Sequence, residues 1–191
     1  MKTKILTLFA CTMLSATSAN AVPIIYQADL TGSQEVGPNG STATGHAIVT
    51  IDTDTDSLRV QLSFAGLTGG NATAAHIHCC SGPGVNSTVA VGFPGFPSAT
   101  SGAFDQTFNL GSSATYNATF FNNAGGGSAA GAEAALAAGL AAGKAYVNIH
   151  NAEFPGGEIR GDLPAVPAPA SLALLGVGLT TLVAVRRRRA A

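Results

Sequence analysis

Apolar and polar residues alternate in several short runs of this chain. Leu58, Val60, Leu62 and Phe64 alternate with Arg59, Gln61 and Ser63, the pattern of a strand buried on one face. Ala47, Val49 and Ile51 alternate with His46, Ile48 and Thr50. Asp52-Thr53-Asp54-Thr55-Asp56 lies between the two runs and reads as their hairpin connection. Its aspartates match the start of a calcium loop, but Ser57 stands where such a loop needs glycine, so the hairpin reading is preferred. Further strands are predicted over residues 24–30, 74–80, 88–91, 103–110, 145–150 and 158–163. A helix is predicted over 129–142, where Ala and Leu dominate. Gly125-Gly126-Gly127-Ser128 leads into it and Gly143 ends it. Short strands separated by turn residues predict an all-β, Greek-key sandwich with one short Ala-rich helix.

Both ends of the chain carry a different pattern. Lys2 and Lys4 precede an apolar stretch over 5–14, and Ala19-Asn20-Ala21 follows with small residues at both cleavage positions, Ala19 and Ala21. This order is that of an export signal, so residues 1–21 are expected to leave and Val22 to begin the mature chain. At the other end, residues 170–185 are uncharged and mostly apolar, and Arg186, Arg187, Arg188 and Arg189 follow directly. As a helix this run reaches ~24 Å, close to the thickness of a bilayer core. A transmembrane helix is expected there, with the arginines holding the C-terminus in the cytoplasm and the preceding domain outside.

The segment Val166-Pro167-Ala168-Pro169-Ala170, the apolar run and the arginines resemble the PEP-CTERM sorting signal, with Ala168 where the motif has Glu. The resemblance covers about the last 26 residues. It implies recognition by exosortase and passage from an inner-membrane intermediate to the cell surface or extracellular matrix of a Gram-negative bacterium. An anchor that is never cut is the alternative. Three segments result: 1–21 the leader, 22–164 the domain and 165–191 the sorting segment.

Removing both ends changes the charge. The whole chain carries a formal −1, but the domain holds only Arg59, Lys144 and Arg160 against all ten acidic residues, a formal −7. A surface this acidic excludes nucleic acid as a partner, because phosphate binding needs basic residues. Cys11 leaves with the leader, so the domain keeps only Cys79 and Cys80. Three fates are open to them: metal ligation, a bridge to each other, or pairing between chains. Cys79 also suits a small apolar core position.

The candidate chemistry lies in His76-Ile77-His78-Cys79-Cys80. Side chains two apart share a strand face, so His76, His78 and Cys80 point one way. The run Ala145-Tyr146-Val147-Asn148-Ile149-His150 ends in another histidine on its polar side. His76, His78, His150 and Cys80 are therefore the candidate metal ligands, and a nitrogen and sulfur donor set points to copper or zinc. A blue-copper centre is disfavoured, since Met1 and Met13 lie in the leader and leave no axial methionine. The competing reading is conformational: the histidines hydrogen-bond neighbouring strands and fix the Pro155-Gly156-Gly157 hairpin. Glu158 and Arg160 share a strand face and read as an exposed ion pair. His46 reads as solvated. Asn71, Asn86 and Asn117 open N-x-[ST] triplets and read as turn residues. No nucleophile motif, phosphate-binding loop or dinucleotide fingerprint is present.

The order of these pieces resembles the CHRD domain. The matching blocks are Ala28-Asp29-Leu30-Thr31-Gly32 with Gln34-Glu35-Val36, Ala43-Thr44-Gly45, Gly66-Leu67, and Ala74-Ala75-His76-Ile77-His78. They close with Tyr146-Val147-Asn148-Ile149-His150 and Phe154-Pro155-Gly156-Gly157-Glu158-Ile159-Arg160-Gly161. The resemblance spans about residues 24–163 and implies an extracellular, immunoglobulin-like or superoxide-dismutase-like β-sandwich. A second layout, Gly66-Leu67 then His76-Ile77-His78 and a later His150, is similar to the copper side of copper/zinc superoxide dismutase. Arg160 takes the place of an anion-guiding arginine, and no zinc loop is apparent. The reading is a secreted, surface-sorted domain without a demonstrable enzymatic activity, binding or structural in the envelope or exopolysaccharide matrix. The alternatives are a copper-dependent, dismutase-like enzyme and a periplasmic copper- or zinc-binding protein.

Overall fold

Eight antiparallel strands form the framework of the chain in a computed structural model, which describes residues 22–167. They are β1 (Ile24–Thr31), β2 (Thr44–Asp52), β3 (Ser57–Ala65), β4 (Ala72–Cys79), β5 (Val89–Gly92), β6 (Gly102–Asn109), β7 (Ala145–Asn151) and β8 (Ile159–Asp162). Two helices, α1 (Ala118–Asn123) and α2 (Ala129–Ala141), separate β6 from β7. The strand order is β5-β4-β7-β8-β1-β2-β3-β6 in one hydrogen-bonded ladder. The expected all-β, sandwich-like architecture is thus built from one continuous sheet. A single sheet curls, sandwich-like, until its apolar faces enclose one core, as the twist of each strand pair accumulates over many strands.

The alternating runs become strands as their pattern requires. Leu58, Val60, Leu62 and Phe64 face the core from β3, and Ala47, Val49 and Ile51 face it from β2. The β2–β3 pairing runs from Thr44↔Ala65 to Asp52↔Ser57, which leaves residues 53–56 as the turn. Asp52 Oδ1 accepts from the backbone N–H of Asp54 and of Thr55, so the first aspartate shapes a turn.

Helix α2 begins where Ser128 Oγ accepts from Gly131 N–H at 3.1 Å and ends before Gly143, whose φ is +65°. Only a residue tolerant of that backbone region closes a helix this way. Leu136 and Leu140 bury its inner face. Helix α1 was not foreseen. Asn117, read as a turn residue, caps it by accepting from Thr119 N–H at 2.9 Å, and Phe120 anchors it in the core. Among the described residues no helix is long and apolar enough to cross a membrane. The expected transmembrane helix over 170–185, the arginine tail, Ala168 and Pro169 of the sorting motif, and the leader with Ala19 and Ala21 lie outside the described residues.

Candidate metal centre

Strand register brings the three histidines together. In the β4–β7 pair, Ala74 faces His150, His76 faces Asn148 and His78 faces Tyr146. In the β7–β8 pair, Asn148 faces Arg160 and Tyr146 faces Asp162. Direct partners share a sheet face, so His76, His78, Tyr146, Asn148, His150 and Arg160 form one polar patch. Ala75, Ile77, Val147, Ile149 and Ile159 occupy the reverse side and are buried in the core.

The imidazoles meet edge to edge. His76 Nδ1 lies 3.2 Å from His150 Nε2, and one ligand nitrogen from each of the three rings lies within 4.8 Å of the others. Two of the rings have their outer nitrogens held by carbonyl oxygens. His78 Nδ1–H donates to Ser87 O at 2.7 Å, and His150 Nδ1–H donates to Pro155 O at 2.9 Å. A carbonyl only accepts, so each bond places the ring proton on Nδ1 and leaves a lone pair on Nε2. That lone pair is what a metal requires, and an oriented N–H on the far side of the ring is the usual support of a ligand histidine. His78 Nε2 is buried with no hydrogen-bond partner. The hairpin-fixing role expected for the histidines is thus real for His150, and it turns the opposite nitrogen toward His76 and Asn148.

Burial keeps all three rings neutral. It pushes His76 down to about 4, helped by the neighbouring His150 and His78. Burial likewise lowers His78, against the pull of the Ser87 carbonyl, and His150, against that of Pro155. Neutral imidazoles bind metal without first losing a proton.

The patch that alternation marks as polar is covered. The loop over residues 80–88 folds across it: Ser87 N–H donates to the Tyr146 hydroxyl at 3.2 Å, and Arg160 reaches Val85 O at 3.4 Å. Glu35 comes from the other side and is also buried, with its pKa pushed up to about 7 by burial, against the pull of Arg160 and Asn148. The expected exposed pair of Glu158 and Arg160 is therefore corrected. Arg160 donates to Asp162 Oδ1 at 3.1 Å and is 1% exposed. Glu158 is wholly buried and accepts from Ser41, Thr68, Gly69 and Asn151. A guanidinium so enclosed does not guide anions from solvent, which removes that element of the dismutase layout. His46 is more than solvated: it bonds Asp29 Oδ1 at 2.7 Å.

Cys80 does not join the histidines. It is disulfide-bonded to Cys79, and its sulfur lies 3.6 Å from Ala135 O on α2. The chain direction changes after β4, so the two-residue spacing that aligns His76 with His78 no longer applies. On the open side, His76 borders a cleft of about 580 Å³ between the 92–96 turn and residues 114–117. The residues lining that cleft include Phe93, Phe96 and Tyr116 and no Asp, Glu, Lys or Arg. Tyr146, Asn148 and Glu35 were missed as contributors to the patch. Asn148 had a legible signal, since it lies two residues before His150 on the same strand face.

The family model described as CHRD domain matches residues 26–163, from within β1 to the residue after β8. The chain belongs to the CHRD family. No curated protein and no solved structure matches it. The CHRD match contains all three histidines, the Cys79–Cys80 disulfide and the strands from within β1 to β8, and excludes both expected address segments. A CHRD domain fits a secreted or periplasmic protein, in keeping with the export signal expected at the N-terminus.

Proposed function

We propose that this CHRD domain is an extracytoplasmic binding module whose ligand is a transition-metal ion, copper or zinc, held by His76, His78 and His150. The observation that carries this reading is the buried, unpartnered Nε2 of His78 facing the ligand nitrogens of two further neutral imidazoles. A lone pair buried without a donor is costly, and a metal ion removes that cost. The carbonyls of Ser87 and Pro155 orient the rings in advance. Export and delivery to the envelope or exopolysaccharide matrix, with exosortase as processing partner and the C-terminal segment in the membrane, rest on the residue patterns of 1–21 and 165–191.

The test is elemental analysis of the full chain, produced with its leader in a Gram-negative host and purified without chelator. The expected result is about one equivalent of copper or zinc, reduced several-fold by His78→Ala. A preparation that takes up neither ion, even after incubation with each, would overturn the reading.

A further inference from the structure

Asn148 occupies the centre of the polar patch, directly opposite His76 on one side and Arg160 on the other. Its Oδ1 stands 2.9 Å from His150 Nε2. His150 Nδ1 faces Pro155 O at 2.9 Å, and that oxygen only accepts. The ring proton is therefore on Nδ1, and Nε2 presents a lone pair to an amide oxygen that presents another. Nδ2 points the other way: it donates to Gly156 O at 3.4 Å and lies beside Glu35 beneath Gly157. The amide thus turns its oxygen toward the histidines.

We infer that Asn148 Oδ1 is the fourth ligand of the centre, completing an N₃O set with His76 Nδ1, His78 Nε2 and His150 Nε2 for a divalent ion. The inference rests on the metal-binding reading above. A cation placed among these atoms turns lone-pair repulsion into coordination. Donor atoms around a tetrahedral ion with bonds near 2.0 Å lie roughly 3.3 Å apart. The spacings of 3.2 Å between His76 and His150 and 2.9 Å between His150 and Asn148 are close to this, and the three histidine nitrogens lie within 4.8 Å of one another before an ion draws them in. A carbonyl oxygen is a hard donor and the one nearby sulfur pair is oxidised, so the set favours zinc(II) or copper(II) over copper(I).

Cobalt(II) is the probe, read by its visible absorption and by competition titration on the full chain. Asn148→Leu removes the oxygen at similar volume and is expected to weaken Co²⁺ binding about tenfold or more and to alter the visible band. Asn148→Asp keeps the oxygen, adds charge and is expected to bind more tightly than the parent, with a shifted band. An Asn148→Leu protein with parental affinity and an unchanged band overturns the inference and leaves the histidine centre standing. If Asn148→Leu does not fold, Asn148→Asp decides: tighter binding with a shifted band supports ligation, and parental affinity with an unchanged band overturns it. A parent chain that binds no Co²⁺, or binds it independently of His78, overturns the histidine centre and this inference together.

Discussion

The guanidinium carbon of Arg160 lies 3.4 Å from the centre of the Tyr146 ring. His78 stacks on the same ring from the β4 side, 4.6 Å away and within 3° of parallel. A cation, a phenol and a metal-ligand candidate thus form one column across β8, β7 and β4. The column explains how a charged side chain is tolerated at 1% exposure. The aromatic face, the Asp162 carboxylate and Val85 O together replace water around the charge.

Arg160→Met keeps much of the volume and removes the charge and its donors. Asp162 and Val85 O lose their partner, and the 80–88 loop loses a tether. The expected cost is about 3 kcal/mol of unfolding free energy, measured as a lower urea midpoint at unchanged slope. Faster amide exchange at Ser87 should accompany it, because the loop loosens locally before the fold does.

Gly139 on α2 sits against the disulfide: a Cβ there would come within 2.6 Å of Cys80 Sγ and still closer to Cys79 Sγ. Helix propensity alone favours Ala over Gly by about 1 kcal/mol. The bridged sulfurs cannot step aside, so Gly139→Ala is expected to destabilise the oxidised protein by roughly 1–3 kcal/mol. Thermal melts with and without reductant check this, and the deficit should shrink once the sulfurs are free to rotate.

Glu158 joins three segments distant in sequence. Its carboxylate accepts from Ser41 Oγ, from the N–H and hydroxyl of Thr68, from Gly69 N–H and from Asn151 Nδ2. Burial pushes its pKa up, yet the donors outweigh burial and the net shift is downward. A depressed carboxyl contributes stability above the unfolded value near ~4.3 and loses it as pH falls through the folded one. Glu158→Ala should cost about 3 kcal/mol at pH 7 and flatten the acid limb of a stability–pH curve.

The metal-free protein should lose stability on mild acidification. Unfolded histidines take up protons near ~6.5, while folded His76 refuses them until about 4. Stability therefore falls as pH drops between those values and levels off below the folded one. Glu35, held protonated up to about 7, acts in the opposite sense, losing stability as pH rises from its ordinary value of 4.5. The slope is best read by urea unfolding in EDTA on a Glu35→Gln background. It should shrink when His76 is replaced by Gln.

The local pattern carried far. Period-two alternation marked β2 and β3 and their turn because one buried face dictates it directly. The same alternation put His76, His78 and His150 away from Ala75, Ile77 and Ile149, and the structure agrees. Helix α2 was legible from its Ala-rich run, its Ser128 cap and its terminal Gly143. The CHRD resemblance followed from the order of the AHIH and GEIRG blocks.

Alternation names two faces of a strand, and nothing in it says what covers the second. The loops carrying Glu35, Val85 and Ser87 come from elsewhere in the chain and bury Asn148 and Arg160 beneath them. The assignment of Arg160 to the surface failed for that reason, and that of Glu158 because Ser41, Thr68 and Gly69 close over it. Cys80 left the histidine face because the Cys79–Cys80 bridge docks on α2, more than fifty residues later. Strand period, helix caps and candidate ligands are properties of neighbours along the chain. Register, burial and the convergence of three imidazoles arise only when β4, β7 and β8 lie side by side.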